Sequence, residues 1–430
     1  RARGMTLLAA PVTELTDSIM AVRLWLAGLS GLGLFVAYRS WLRVYPGYVA
    51  PIAALLFSSI WSVAYYAFQA MPNEWVAFAV LAATGHAVLY LRDGRTRHLG
   101  WIVLAMTSAA LLRPSDAGFA AAGTVVACAV IQAPRRLRVR AGWAVLAGTV
   151  LGTAEWVVEA YLSFGGLGER IRAAQAEQGG GGLRFSGLAQ ARALAGPLLC
   201  RTGCHAHAPV VFWFWWVVGA GLVLAAIVLG RHCFRAGPGL FVLVVAVATA
   251  AQYLLTVGYA APRFLIPPYA LLALPCASAI VRLCTRAQPA RAGRGLIRVG
   301  VTSAFVVVLL AHLAVQGDVV IAHIRPAVTR FNRQVQADAA ALHALGVRPP
   351  CVVLGQPSWN EALAYAAGCR NVPRGVGAVQ RLRALGTDVV WLGPTSPPDR
   401  YGLSWRQVTL PGPTSLSPQV AYLSQASRPG

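Results

Sequence analysis

Long apolar stretches, separated by short polar connections, occupy the first 316 residues of the chain. Several of them reach about 18 residues or more, the length at which a helix crosses the hydrocarbon core of a bilayer. The pattern predicts about ten membrane-spanning helices. They fall near residues 19–38, 47–66, 74–91, 99–112, 117–133, 141–162, 209–230, 238–257, 264–283 and 299–316. Residues 1–316 are therefore expected to form an α-helical polytopic membrane domain, interrupted by a long connection at 163–208.

The composition agrees with this class of protein. Hydrophobic residues make up 57% of the 430 residues and charged residues only 12%, and the mean hydropathy is +0.59. A soluble domain carries about twice as much charge, so a soluble globular protein is excluded. The net charge of +23 would indicate nucleic-acid binding in a soluble protein. Here much of the arginine lies in short connections between apolar stretches, so no nucleic-acid partner is expected.

Arginine alternates between the connections and thereby predicts which side of the membrane each one faces. The arginine-rich set comprises Arg39, Arg43, Arg92, Arg95, Arg97, Arg135, Arg136, Arg138, Arg140, Arg231, Arg235, Arg282, Arg286, Arg291, Arg294 and Arg298. Of the intervening connections, MPNE has no arginine, and RPSD and YAAPR have one each. The positive-inside rule assigns the arginine-rich set to the cytoplasm. The start of the chain, the 163–208 connection and residues 317–430 are then expected outside the plasma membrane.

Residues 317–430 change character and predict a small extracytoplasmic α/β domain. The stretch FNRQVQADAAALHAL has helical periodicity, and PCVVLG is typical of a buried strand. NEALAYAAG returns to a helical pattern, and RALGTDVVWLG repeats the change from helix to strand. Strands that alternate with helices favour a parallel pair.

Four cysteines fall in the segments expected outside, where an oxidising environment allows disulfides. They are Cys200, Cys204, Cys351 and Cys369. Each pair that is close in sequence is a candidate disulfide. For the first pair a metal site with His205 and His207 is the alternative, because thiolates and imidazoles are good zinc ligands.

Ionisable side chains collect at the helix ends that are expected to face outwards, and charges at membrane depth are costly. Arg113 and Asp116 lie in the turn LLRPSD. Either they pair with each other, or Arg113 binds a phosphate through its planar guanidinium. Arg263 opens the run RFLIPPYALLAL and either extends to lipid headgroups or binds a specific lipid phosphate. The prolines around it favour a helix that lines a cavity, and hence the second role.

Two glutamates complete this set. Glu74 follows MPN at the start of a helix, where the helix dipole alone also favours an acid. Glu159 lies one helical turn beyond Glu155 near an outward helix end, and it is the better candidate of the two to face a cavity.

The order of these motifs resembles that of the GT-C glycosyltransferases, polytopic membrane enzymes that use polyprenyl-phosphate sugars. Many of them open a late helix with an Arg-aromatic-Leu-x-Pro element, and Arg263-Phe264-Leu265-Ile266-Pro267 is similar to it. The turns MPNE and LLRPSD also look similar to segments of that family. The opening MTLLAAPVTELTDSIMAVRLWLAGLSGLGLFVAYRSWL resembles the family's second helix and the segment that leads into it. In layout the resemblance covers residues 1–316.

The resemblance implies an inverting transfer in which a carboxylate deprotonates an acceptor hydroxyl, and this attacks the anomeric carbon of a polyprenyl-phosphate-linked sugar. Arginines would stabilise the lipid phosphate as it leaves. The residues expected to bind the substrate are Arg113, Asp116, Glu159 and Arg263. The acceptor stays open, and so does the need for a divalent metal ion, which some members of the family use.

The family's catalytic acid lies in the outer loop between its first and second helices. The chain begins RARG, and we expect that this first helix and its loop are missing from it. Asp17 and Glu74 are then the candidate bases within the chain.

Two other functions stay open. A transporter or lipid flippase also needs charges in the membrane, but it predicts internal repeats and paired broken helices, which the sequence does not suggest. A catalytically inactive scaffold of the same fold is the other alternative, because the expected acidic loop is missing.

Overall fold

The computed structural model describes residues 3–16, 18–45, 47–177, 182–196, 198–200, 210–235, 237–286, 295–355, 357–371, 376–393, 396–397, 399–411 and 420–424. The chain divides into two compact units, Arg1–His323 and Ile324–Gly430. The boundary predicted after residue 316 concerns where the chain leaves the membrane, and it stays a prediction.

The first unit is built of helices. They are α1 (Gly4–Thr13), α2 (Ile19–Arg39), α3 (Trp41–Val44), α4 (Val49–Ser58), α5 (Trp61–Tyr66), α6 (Pro72–Asp93), α7 (Arg97–Leu112), α8 (Pro114–Val130), α9 (Arg135–Phe164), α10 (Leu167–Glu177), α11 (Gly187–Ala193), α12 (Val210–Leu229), α13 (Arg231–Arg235), α14 (Pro238–Leu255), α15 (Ile266–Arg286) and α16 (Gly295–Asp318). A 3₁₀ turn, Pro262–Leu265, precedes α15, and a π-helical turn, Val319–Ile324, follows α16.

Six described segments are long and apolar enough to cross a membrane by length and composition. They are Ile19–Val44, Pro72–Asp93, Arg135–Phe164, Pro238–Leu255, Pro262–Thr285 and Ser303–Ala344. Shorter apolar helices are Gly4–Thr13, Val49–Ser58, Arg97–Leu112, Pro114–Val130 and Trp215–Leu229. The predicted multi-pass helical architecture is confirmed, and the number of about ten spans stays a prediction.

Proline and glycine set several helix ends. Proline occupies the first turn of α6, α8 and α14, where an amide hydrogen would have no intrahelical partner. Helices α6 and α9 end at Gly94 and Gly165, whose φ angles of 69° and 82° favour glycine. Arg113 alone separates α7 from α8, in an extended conformation with φ −154° and ψ 98°. The two helices therefore form a tight hairpin with Arg113 at its turn.

Small residues bring α9 close to α7. A Cβ atom added at Gly148 would lie 2.5 Å from the Val103 carbonyl oxygen, and one added at Gly152 would overlap the Thr107 carbonyl oxygen. Thr107 also donates a hydrogen bond of 3.1 Å to the Gly148 carbonyl. Such small-residue contacts let helices approach closely where lipid gives no hydrophobic driving force.

Two features differ from the predicted spans. The 47–66 stretch is divided into α4 and α5, because Ile60 adopts an extended conformation with φ −71° and ψ 124°. Helix α1 lies in a segment that was expected only to lead into the membrane. It packs against α2 and α7. Gly4 allows a close approach to α7, because a Cβ atom at this position would lie only 2.7 Å from the Leu111 carbonyl oxygen.

The second unit has a five-stranded mixed sheet with helices on both faces. Its elements are α17 (Arg325–Ala344), β1 (Cys351–Gly355), α18 (Pro357–Ala366), β2 (Arg370–Asn371), α19 (Val376–Ala384), β3 (Asp388–Leu392), β4 (Arg406–Thr409) and β5 (Val420–Ser424), with a 3₁₀ turn at Asp399–Tyr401. The strand order is β2-β1-β3-β5-β4. Strand β1 is parallel to β2 and β3, and β5 is antiparallel to β3 and β4. The predicted parallel pair is confirmed as β1 and β3.

A disulfide between Cys351 and Cys369 joins the start of β1 to the residue before β2. Among the described residues, the structure thus contains the Cys351–Cys369 disulfide that the sequence suggested. Val353 and Val390 face α17 and α18 in one apolar cluster, whereas Val352 and Val389 face the α19 side in another.

Candidate functional site

Four side chains at the α7–α8 hairpin form a closed ring of three hydrogen bonds and one ion pair. Asp116 Oδ1 forms an ion pair with Arg113 Nε at 3.2 Å, and Asp116 Oδ2 accepts a hydrogen bond of 2.6 Å from the Tyr253 hydroxyl. Tyr253 in turn accepts from Asn73 Nδ2 at 3.2 Å, and Asn73 Oδ1 accepts from Arg113 Nη1 at 3.4 Å. Gln252 Nε2 adds a bond of 2.9 Å to Asp116 Oδ1. We call Asn73, Arg113, Asp116 and Tyr253 the Arg113 ring.

Helix ends bring the ring together. Asn73 lies in the first turn of α6, Asp116 in the first turn of α8 and Tyr253 in the last turn of α14. These three residues are buried, whereas the Arg113 side chain keeps 20% of its surface exposed. A buried ion pair is tolerated when hydrogen bonds satisfy its remaining polar atoms. The ring provides hydrogen bonds to both Asp116 oxygens, counting the bond from Gln252, and to Arg113 Nη1, so it compensates the charge of Arg113 and fixes its orientation.

Arg263, in the 3₁₀ turn before α15, has no carboxylate partner among the described residues. Its Nη1 makes two long hydrogen bonds of 3.4 Å, to the Tyr66 hydroxyl and to the Leu198 carbonyl. Its guanidinium carbon lies 5.3 Å from the ring centroid of Phe264, and that of Arg113 lies 6.0 Å from the same centroid. Two arginines therefore share one aromatic neighbour, and the charge of only one is compensated by an acid.

Prolines remove backbone donors from the start of α15. The first amide groups of a helix lack intrahelical partners and therefore attract anions. Helix α15 begins at Ile266, so Pro267 and Pro268 occupy two of these positions. The positive potential at this helix end therefore comes mainly from the Arg263 side chain.

The connection between α9 and α12 covers the end of α14. Ser186 donates through Oγ to the Tyr253 carbonyl at 2.6 Å and through its amide to the Leu254 carbonyl at 2.8 Å. The Arg184 amide donates to the Leu255 carbonyl at 2.7 Å. The last carbonyls of a helix have no intrahelical partners. The connection therefore caps α14 and holds the backbone of Tyr253 in place.

Glu74 follows Asn73 on α6 but contacts α2. It is 1% exposed, and its Oε1 accepts a hydrogen bond of 2.6 Å from Ser30 Oγ. Its Oε2 is buried without a hydrogen-bond partner. Glu74 is thus a buried carboxyl group, one residue away from the ring, with one uncommitted oxygen.

Glu159 belongs to a separate group on α9 and α10. Arg170 Nη2 donates to Glu159 Oε2 at 3.1 Å, and the Arg170 guanidinium lies over Phe164 at 4.2 Å and Trp156 at 5.5 Å. No contact among the described residues joins this group to the ring. Asp17, the other candidate base, lies outside the residues that the structure describes.

No protein-family model and no curated protein matches the chain. Solved structures do match. ArnT from Cupriavidus metallidurans bound to undecaprenyl phosphate aligns over 100% of this chain and 89% of its own, with 13% identity and a TM-score of 0.57. The archaeal oligosaccharyltransferase AglB from Archaeoglobus fulgidus, in complex with an inhibitory peptide and a dolichol-phosphate, aligns over 91% of this chain and 61% of its own, with 12% identity and a TM-score of 0.55. Both are GT-C glycosyltransferases.

The chain has the GT-C fold. The apo state of the same ArnT agrees, with 13% identity and a TM-score of 0.54 over 99% of this chain and 88% of that one. This chain spans less than two thirds of AglB. The resemblance seen in the motif order is confirmed at the level of fold, and the role of each residue rests on the geometry of the site.

Within this GT-C fold, the sequence did not point to Asn73, Tyr253 or Tyr66 as members of the site. They carry no charge, and charge at the helix ends was the signal that marked the candidate residues. A weaker signal was present, because Gln252 and Tyr253 form a polar pair at the end of an otherwise apolar helix. Asn73, similarly, directly precedes a glutamate at a helix start.

One of the four candidate ligands of the predicted metal site in the α9–α12 connection is not a free cysteine. Cys200 is disulfide-bonded, so its sulfur is not available as a thiolate. Cys204, His205 and His207 lie outside the described residues. A disulfide between Cys200 and Cys204 stays a prediction.

Proposed function

We propose that this protein is an inverting glycosyltransferase that moves a sugar from a polyprenyl-phosphate donor to an extracytoplasmic acceptor. The observation that carries the proposal is the uncompensated charge of Arg263 beside the compensated charge of Arg113, with Phe264 between them. Both arginines lie where apolar helices end, which is where the phosphate of a membrane lipid can reach them.

The proposed reaction adds negative charge to the phosphate. The donor phosphate is a diester with one negative charge. When the anomeric carbon–oxygen bond breaks, the electron pair stays on the phosphate oxygen and a lipid monophosphate leaves. A fixed cation that is not already neutralised stabilises this developing charge best. Arg263 meets this requirement, and Arg113 adds an oriented guanidinium whose Nη2 has no hydrogen bond among the described residues.

Asp116 is proposed as a positioning residue rather than a direct ligand of the substrate. Both of its oxygens already accept hydrogen bonds, Oδ1 from Gln252 and Oδ2 from Tyr253, and Oδ1 is also ion-paired with Arg113. An unpaired carboxylate would repel a phosphate. Because Asp116 is paired with Arg113, its effect is instead to orient the Arg113 guanidinium.

The acceptor hydroxyl attacks the anomeric carbon, and its proton passes to a carboxylate base. Asp17 and Glu74 remain our candidates for this base. Glu74 has a buried oxygen without a partner, one residue from Asn73 of the ring. Glu159 is not proposed to take part in the reaction, because it is paired with Arg170.

The structural neighbours support the choice of donor. The ArnT structure holds undecaprenyl phosphate and the AglB structure holds a dolichol-phosphate, and both ligands are polyprenyl phosphates. For this chain we therefore propose a polyprenyl-phosphate-linked sugar. In the part of the chain that the structure describes, no group of three or more His, Cys, Asp or Glu side chains is placed to hold a metal ion. No step of the proposed reaction is routed through one.

The test compares Arg263→Gln with Arg282→Gln as a matched control. Arg282 lies near the far end of α15, is also partly buried, and bonds Ser278 Oγ and the Leu229 carbonyl. With the protein in lipid nanodiscs, we expect Arg263→Gln to weaken binding of undecaprenyl phosphate about tenfold or more, since a charge-assisted hydrogen bond is lost. Arg282→Gln should leave binding unchanged. Equal losses in both variants, or none in either, would overturn the proposal.

Turnover separates the enzyme from its alternatives. Undecaprenyl-phosphate esters of mannose, glucose and arabinose are incubated with the protein and a membrane extract as the acceptor source. An active transferase releases undecaprenyl phosphate, and Arg263→Gln slows that release. An inactive scaffold or a lipid transporter binds the lipid without releasing the sugar.

A further inference from the structure

Tyr65 directly precedes Tyr66 of the candidate site, and its hydroxyl has no hydrogen-bond partner among the described residues of the site. It lies on α5, is half-buried, and its hydroxyl has no hydrogen bond within the described residues. Its neighbour Tyr66 differs, because it is 3% exposed and its hydroxyl accepts a hydrogen bond from Arg263. Of two successive tyrosines, one is engaged by the proposed phosphate-binding arginine and the other is left available.

The ring contacts of Tyr65 place it near Arg263, with Tyr66 between them. Its ring meets that of Tyr66 edge-on, with centroids 5.1 Å apart and planes at 86°. On another side it meets Phe68 at 5.7 Å and 69°. The hydroxyl of Tyr66 accepts a hydrogen bond from Arg263, so one aromatic ring separates Tyr65 from that guanidinium. Through Tyr66, a partly open aromatic ring with a second ring at its edge and a hydroxyl without a described hydrogen bond thus lie near a cation that no described carboxylate compensates.

This combination suits a sugar ring joined to a phosphate. A pyranose or furanose presents a face of C–H groups that packs on an aromatic ring, and hydroxyls that need donors and acceptors. A tyrosine supplies both the ring and a hydroxyl that donates and accepts. The sugar of the donor is attached directly to the phosphate, so the group that binds it must lie next to the phosphate site.

We propose that Tyr65, with Phe68 at its edge, binds the sugar of the lipid-linked donor while Arg263 binds its phosphate. This inference rests on the function proposed above. Tyr65 would then decide how strongly the protein prefers a lipid that carries a sugar to one that has lost it.

Aromatic side chains also gather at membrane interfaces without binding any ligand. A tyrosine of that kind would affect both lipids equally or neither of them. Tyr161 is a matched control for it, because it is 62% exposed near the end of α9 and has no described contact with the Arg113 ring.

The experiment measures, in nanodiscs, the affinities for undecaprenyl phosphate and for its esters with mannose, glucose and arabinose. In the wild-type protein at least one sugar is expected to increase affinity. Tyr65→Ala should reduce that increase about tenfold, since stacking and a hydrogen bond are both lost, and leave the affinity for undecaprenyl phosphate unchanged. Tyr65→Phe should keep part of the increase, and Tyr161→Ala all of it. Unchanged affinity for undecaprenyl phosphate also shows that the variants are folded.

The outcomes separate this inference from the proposed function. If no sugar increases affinity in the wild-type protein, or if the increase survives in Tyr65→Ala, the sugar site is overturned and the lipid phosphate site stands. Equal weakening of all the lipids by Tyr65→Ala assigns the residue to the membrane interface and also overturns it. If the wild-type protein binds none of the lipids, the proposed function fails and this inference fails with it.

Discussion

Tyr253 and Phe264 stack nearly face to face, with ring centroids 4.6 Å apart and planes inclined by 16°. Tyr253 belongs to the hydrogen-bonded ring that holds Arg113, and Phe264 directly follows Arg263. The Arg113 guanidinium carbon lies 5.6 Å from the Tyr253 centroid and 6.0 Å from that of Phe264. Each such cation–π contact contributes about 0.5–2 kcal/mol. The stack therefore joins the two arginines to one aromatic wall, although they are 150 positions apart in sequence.

Removing the charge of Asp116 should destabilise the protein, because Arg113 would keep its charge without compensation. We expect Asp116→Asn to lower the free energy of unfolding by about 3 kcal/mol, as for other broken buried pairs. Glu169→Gln is the matched control, because Glu169 and Arg172 form an exposed pair at the same spacing and such pairs contribute little. Thermal unfolding in detergent measures both.

The double variant Arg113→Gln/Asp116→Asn completes this test. If the two residues act as a pair, the double variant should lose less unfolding free energy than the two single variants lose in sum. The difference is the coupling energy that the double-mutant cycle gives. Additive effects would mean that the pair contributes nothing beyond its separate parts.

Ser186→Ala should loosen the connection that caps α14. It removes the hydrogen bond to the Tyr253 carbonyl and leaves that buried acceptor unpaired, at a cost of about 1–2 kcal/mol. Local opening should then be about 5–30 times more frequent. Limited trypsin digestion after Arg184 measures this, with Ser108→Ala as the control because the Ser108 hydroxyl is exposed and bonds only within its own helix. Equal digestion of both variants would contradict the capping role.

Gly152→Ala should separate α9 from α7, because the added methyl group overlaps the Thr107 carbonyl oxygen. We expect a loss of about 1–3 kcal/mol in the free energy of unfolding, typical of overpacking. Gly142 lies on the same helix with open space around it. Gly142→Ala should therefore be neutral or stabilise the protein by up to about 1 kcal/mol through helix propensity. Unfolding temperatures in one detergent compare the two, and a stable Gly152→Ala variant would exclude the tight contact.

The predicted orientation can be tested with single cysteines in intact cells. Leu385 is 77% exposed in the second unit, and Arg95 is exposed in the connection between α6 and α7. A membrane-impermeant maleimide should label Leu385→Cys before permeabilisation and Arg95→Cys only after it. The reverse pattern would place the second unit in the cytoplasm. The parent chain, with its own cysteines, gives the background.

Hydropathy predicted the helices because residence in a bilayer depends on the composition of a stretch and little on its partners. The predicted spans 74–91 and 238–257 correspond closely to α6 and α14. The division of the 47–66 span was missed, since Ser59 and Ile60 carry none of the proline or glycine signals that usually mark a helix break.

The site was harder to derive, because its assembly is a tertiary property. Charge at helix ends led to Arg113 and Arg263, which the structure brings to the same aromatic residue. Charge alone led equally to Glu159, which instead pairs with Arg170. The uncharged members of the ring could be found only by knowing that the start of α6 meets the end of α14.

The prolines at the start of α15 have a consequence for how a product would leave. Amide groups at a helix end are rigid and would hold a phosphate in one place, whereas an arginine side chain can follow it as it turns. During the proposed transfer the phosphate changes from a link between lipid and sugar into a free terminus, so its oxygens change both position and charge. With Pro267 and Pro268 in place of fixed donors, Arg263 can accompany the phosphate through that change and then swing away. The same helix end that receives the full lipid can thus also release the spent one.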